Sequence, residues 1–157
     1  MNFATAFKTG LSIIVLSSHI FSASPDVIHR KFDEFADLNC EDEMSRLDNF
    51  ALQLRAEPDK YGLIIFYGGR RMRGKIQRRG DSAARAVRLK SYLIDRRGLR
   101  ADKIVVIDAG YSEEWHAELW IALPGFAWPP ALHATVPTKE IRFRKGTARP
   151  RDFRCEV

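Results

Sequence analysis

Arginine is the side chain with most to offer chemically in this sequence, and it is unevenly spread. Arg70, Arg71, Arg73, Lys75, Arg78 and Arg79 follow the pair Gly68-Gly69, and Arg85, Arg88, Lys90, Arg96 and Arg97 follow Asp81. A guanidinium carries a planar fork of N–H donors, so one held on a rigid element can grip a carboxylate bidentately. Arg85, within a helical pattern, and Arg70, Arg71 and Arg73, after Gly68-Gly69, are the candidate ligand-binding cations. Asp81, four residues before Arg85, could add an acid, but capping the helix or pairing with Arg85 are its plainer roles.

Other chemistry finds less support. His19, His29, His116 and His133 stand in unrelated contexts, and the glycine stretch 68–80 lacks the Lys-Ser/Thr of a phosphate cradle. Asp108 and Glu113 end a strand-like run, as active-site acids often do, yet turn chemistry accounts for them equally well. No catalytic residue, metal site or cofactor is expected. The arginine-glycine segment has only Met72 and Ile76 between its charges, with no aromatic to stack on bases, so nucleic acid is not the expected partner. Cys40 and Cys155 are the two cysteines. In an exported chain an even count favours a disulfide, with two free thiols or a crosslink to a partner as the alternatives.

The elements that must position these residues follow from periodicity. Residues 81–98 read as a helix: Asp81 as N-cap, cations in the last turn, and Gly98 where a left-handed residue ends the element. Ser82, Ala86, Leu89 and Leu93, with Ala83, Val87 and Ile94, form a narrow buried stripe that leaves Arg85 and Arg88 on the outward, basic side. The runs Gly62–Tyr67 and Lys103–Asp108 lack polar alternation, which suits strands covered on both faces, and strand-helix-strand of this length makes them parallel. Upstream, Val27–Phe32 reads as a strand. Asn39 caps a helix whose stripe is Met44, Leu47, Phe50, Ala51 and Leu54 and which stops before Pro58; the three acids of its first turn complement its dipole. Gly68–Gly80 reads as a loop, Tyr111–Glu114 as a turn, and Trp115–Leu123 as a half-covered strand, antiparallel to its predecessor if the connection is a hairpin.

The order of these residues resembles the OmpA-like domain, the wall-binding module of Gram-negative envelope proteins. The resemblance rests on Ser82-x-x-Arg85-Ala86-x-x-Leu89-x-x-x-Leu93, on Arg97-Gly98-Leu99-x-x-x-Lys103-Ile104, on Asp108-Ala109-Gly110-Tyr111-Ser112-Glu113 and on Ala117-Glu118-Leu119-Trp120-Ile121. It covers roughly residues 27 to 123. It implies an α+β fold of β-α-β-α-β-β order, two helices on a mixed parallel/antiparallel sheet, in a non-catalytic periplasmic module that binds peptidoglycan. It also implies that Arg85 takes the carboxylate of diaminopimelate while an acid in the preceding loop takes its ammonium. That acid does not map: Arg70 stands at its position, and no Asp or Glu occurs from Tyr61 through Gly80. Diaminopimelate recognition is therefore expected to be altered or lost, leaving another anionic envelope polymer as ligand or, alternatively, an accessory subunit that binds a protein.

The 157 residues, 45% hydrophobic, suit one domain with extensions. Residues 1–23 resemble an export signal, with Lys8, an apolar run Leu11–Leu16 and small residues at Ser22, Ala23 and Ser24; no later segment could span a membrane. Residues 24–123 form the domain. Residues 124–157 hold five of the seven prolines and read as an irregular arm, whose Phe126 and Trp128 would join Trp120 as a contact surface for a protein partner. The net charge of +6 is local. Residues 26–60 carry ten acids against five bases, and residues 70–103 carry thirteen bases against three acids. That field attracts anions without choosing among them.

Overall fold

A computed structural model describes residues 29–125, 133–153 and 155. The signal-like stretch 1–23, the predicted strand start at Val27, and Phe126 and Trp128 lie outside the described residues. The chain is α+β, with two helices packed on a mixed sheet. Strand β1 (His29–Phe35) leads into helix α1 (Cys40–Ala56), where the Asn39 side chain accepts the Asp42 N–H at 2.9 Å as the cap. Strand β2 (Tyr61–Met72) is buried without interruption from Gly62 to Gly69, as a run without polar alternation requires. It sits at the centre of the sheet. Strand β5 (Ile104–Glu114) runs parallel to it, and β6 (His116–Ala122) antiparallel along its other edge with β1 beyond.

The connection between β5 and β6 is a crossing and not a hairpin. Trp115 carries the chain over the end of β2, so β6 pairs with β2 and β1 instead of β5. There the backbones come so close that a Cβ on Gly69 would stand 2.4 Å from both the Arg71 oxygen and the Trp115 nitrogen. The stretch expected as the loop 68–80 is also strand-like. β2 continues to Met72, then Arg73 (φ 51°) and Gly74 (φ 71°) make a two-residue turn with Met72 opposite Lys75, the geometry of a type I′ hairpin. Two-residue strands β3 (Lys75–Ile76) and β4 (Arg78–Arg79) follow.

Helix α2 (Asp81–Ser91) continues as a π turn, Tyr92–Arg96. Its N-cap is Gly80, not Asp81. Gly98 is left-handed as expected (φ 65°), with its N–H on Ile94 and that of Leu99 on Leu93. The described part of the C-terminal arm is more ordered than its composition implies. It has a 3-10 turn at Thr138–Glu140, a strand β7 (Arg144–Thr147) parallel to β4, and a 3-10 turn at Pro150–Phe153. Cys155 is bonded to Cys40, the first residue of α1, with Cα atoms 5.5 Å apart.

One core lies between helices and sheet: Leu47, Phe50 and Leu54 of α1, Leu89 of α2 and Leu93 of the π turn meet Ile64, Leu119 and Trp115. The other sheet face carries a second apolar group, Leu63, Ile65, Tyr67, Ile107 and Ala109. Among the described residues no helix is long and apolar enough to cross a membrane.

Candidate functional site

Arg85, expected on the outward side of α2, is 1% exposed. The stripe Ser82, Ala86, Leu89 and Leu93 is buried as expected, but Val87 is 43% exposed and Arg85 and Arg88 face inward. The reason lies on the other helix. Residues three and four apart share a helix side, so Arg85 and Arg88 point together at Glu43 in the first turn of α1. Glu43 is a buried acid, not a solvated one. Its Oε2 accepts Arg85 Nη2 at 2.8 Å and Nε at 3.3 Å, and its Oε1 accepts Arg88 Nη1. Asp37, between β1 and α1, takes the remaining edge of Arg85 at Nη1, and the Trp115 ring lies 3.8 Å below the guanidinium carbon. Arg88 Nη2 reaches Sγ of Cys155.

These contacts use the fork of Arg85 from both edges and one face. A ligand carboxylate would be a third anion and would have to displace Asp37, whose side chain is one-third exposed. The cluster joins four elements: α1, α2, the β1–α1 connection and the crossing at Trp115. Sequence reasoning missed Asp37, Glu43 and Trp115. The charge imbalance between residues 26–60 and 70–103 was the available signal, since a net acidic block facing a net basic one invites pairing across the fold.

The other expected cations do not gather around Arg85. Arg70 pairs with Glu113 at 3.0 Å and with Glu140 at 2.6 Å, and these bonds, that to Glu140 first, hold its pKa above the ordinary arginine value. Among the described residues Arg71, next along the strand, reaches only the Gly74 carbonyl. Arg73 is exposed, but its backbone N–H donates to Asp37 at 2.8 Å and so anchors the β2–β3 turn to the same acid that holds Arg85. Asp81 neither caps the helix nor pairs with Arg85. Buried at 4% exposure, it accepts the backbone and side chain of Arg78 at 2.6 and 2.9 Å and so closes the turn before α2.

Among the described residues the exposed cations gather elsewhere. Arg71, Arg73, Lys75, Arg79, Arg144 and Lys145 lie on the β2–β3 turn and the β4–β7 pair, all exposed, and none makes a salt bridge to a described residue. The ribbon is stiffened by backbone bonding of Arg144 to Gln77, by Arg144 Nε on the Ile76 carbonyl at 2.9 Å, and by Arg79 stacked 4.6 Å from Phe143. The acids considered for catalysis are engaged locally: Asp108 accepts the Gly110 N–H at 2.9 Å, and Glu113 holds Arg70. An open cleft of about 970 Å³ runs between the helices beside Cys155, but Asp48, Tyr92 and Arg97 on its wall are bonded to one another. Trp120, expected in a contact surface for a protein partner, donates to Glu118 at 2.7 Å and is half-buried, and Ala122 beside it is buried.

No protein-family model matches this chain, and no curated protein sequence matches it.

Proposed function

We propose that this chain is an exported, non-catalytic binding module of the cell envelope, and that its ligand is an anionic envelope polymer such as peptidoglycan, held on the basic ribbon instead of by a guanidinium on α2. The observation that carries the reading is the division of labour among the cations. Arg85 and Arg88 are paired with buried Glu43 and Arg70 with surface Glu113 and Glu140, while Arg71, Arg73, Lys75, Arg79, Arg144 and Lys145 stand together in solvent. Cations fixed on a short ribbon and spaced along a strand suit repeated anionic groups of a polymer better than one buried carboxylate. The Cys40–Cys155 bond, of a kind that persists in oxidising compartments, supports export.

Co-sedimentation with purified sacculi is the test. Binding at low ionic strength should fall as salt rises, because exposed charges are screened over about 10 Å at 0.1 M salt. It should be lost in the triple variant Arg71→Glu, Arg73→Glu, Lys75→Glu. Undiminished binding by that variant, or none by the native protein at low salt, overturns the proposal. The alternative, an accessory subunit contacting a protein through Trp120 and the arm, has less to stand on, since Trp120 and Ala122 are engaged within the sheet.

A further inference from the structure

The sheet face away from the helices carries a group that the polymer-binding reading does not use. Glu34 on β1 and Glu118 on β6 are direct cross-strand partners, and His116 lies two residues before Glu118, hence on the same face. Each of the three offers one ligand atom, and these atoms all lie within 4.8 Å of one another. Two carboxylates opposite each other on antiparallel strands repel unless a cation joins them. Here Lys31 supplies one: its Nζ is 2.8 Å from Glu34 and 2.7 Å from Glu118. A bulge in β1 between Lys31 and Asp33 separates its register from that of Glu34.

The surroundings orient two of the three ligand groups, His116 and Glu118. The Tyr67 ring stacks on His116 at 4.2 Å with 11° between planes. Ser112 Oγ donates to the Glu114 carbonyl, and His116 Nδ1 lies 3.2 Å from that hydroxyl and 3.4 Å from that carbonyl, two oxygens that suit a protonated Nδ1. With Nδ1 protonated toward these two oxygens, Nε2 would be the nitrogen left for a metal. Trp120 Nε1 donates to the second oxygen of Glu118 at 2.7 Å, which fixes that carboxylate and leaves the other oxygen to the cation. An imidazole oriented through its far nitrogen and a carboxylate oriented by an N–H donor are the supports seen around bound metals. A purely structural Lys-Glu-Glu bridge requires neither.

We infer that Glu34, His116 and Glu118 form a site for a divalent transition ion, Zn2+ foremost, in which the Lys31 ammonium is the resident cation of the metal-free state. Imidazole with two carboxylates is a donor set that Zn2+ accepts, with water completing four-coordination. The Lys31 side chain is 38% exposed, so it can swing into solvent and surrender both oxygens without a change in the strands.

The test uses the full-length oxidised protein, stripped with chelator and titrated with ZnCl2 by calorimetry and by thermal melting, with Co2+ as the visible-absorption probe. One saturable site is expected, with a rise in melting temperature and Co2+ d–d bands. His116→Ala and Glu34→Gln should each weaken Zn2+ binding by at least about tenfold, and Ser112→Ala by about tenfold through the lost orientation. Lys31→Met should tighten it by removing the competing ammonium, while Asp102→Asn, far from the cluster, should change nothing. Absence of a saturable site, an affinity unchanged in His116→Ala, or weaker binding in Lys31→Met overturns the inference. Should Lys31→Met fail to fold, the His116 and Glu34 variants decide it alone.

Discussion

Glu43→Gln is the most informative single perturbation of this fold. The carboxylate it removes is 4% exposed and holds two guanidinia whose side chains are 1% and 7% exposed. Glutamine conserves the volume and one acceptor but leaves both cations in the interior with Asp37, among the described residues, as the one remaining carboxylate, in contact with Arg85 alone. Breaking a buried ion pair from one side costs about 3–5 kcal/mol, because the orphaned charge stays desolvated. In a chain this long each kcal/mol moves the midpoint by about 2–4 °C, so a fall of roughly 6–20 °C is expected. The assay is urea and thermal unfolding of the oxidised protein followed by tryptophan fluorescence, with fully buried Trp115 against the Arg85 guanidinium as a reporter. A cycle with Arg88→Met isolates the pair. The double variant should be more stable than the sum of the single losses by at least about 1 kcal/mol, since methionine removes the charge that a neutral amide in place of Glu43 cannot satisfy. A Glu43→Gln protein melting within about 2 °C of the native one would refute the reasoning, for it would mean that Arg85 and Arg88 reach water or another acid.

Two further outcomes follow from the same contacts. Reducing Cys40–Cys155, which closes a span of 115 residues, should cost up to about 4–5 kcal/mol in the chain-entropy account and make the arm from residue 144 onward sensitive to protease; denaturant midpoints and limited proteolysis of reduced, alkylated protein check this. The Asp48 carboxyl is held below its ordinary pKa, first by the hydrogen bond from Arg97, against the opposing effect of burial, and then by that from Tyr92. A depressed carboxyl contributes stability that is complete above its unfolded pKa, about 3.9, and is lost as pH falls through the lower folded value. Asp48→Asn should therefore flatten the acid limb of a stability-against-pH curve in that window and leave the neutral limb parallel to the native one; an unchanged acid limb counts against the assignment.

The elements were legible where a local cause was strong. Asn39 ahead of a spaced apolar stripe, the unbroken run from Gly62 to Tyr67, and Gly98 after a basic turn each set their element from neighbours in the chain, and each is found close to where it was expected. The alternation in Trp115–Leu123 was equally sound, but its partner was not in the pattern. Whether β6 lies beside β5 or crosses to β2 depends on which free edge of β2 a strand can fill, a comparison between distant segments. The Arg73-Gly74 turn was hidden because arginine is an uncommon residue for a left-handed position.

Local residue patterns were enough for the class of the protein: two helices on a mixed sheet, a regional excess of positive charge, and a pair of cysteines far apart in the chain. Which of those charges remain available to a ligand was settled by packing. Arg85 and Arg71 are the same residue type with the same fork of donors. One is enclosed by Glu43, Asp37 and Trp115, brought from three other segments, and the other stands on a ribbon among like charges. Burial and partnership arise from the meeting of segments distant in the chain, and helical periodicity registers a position on a face without registering what will be laid against it.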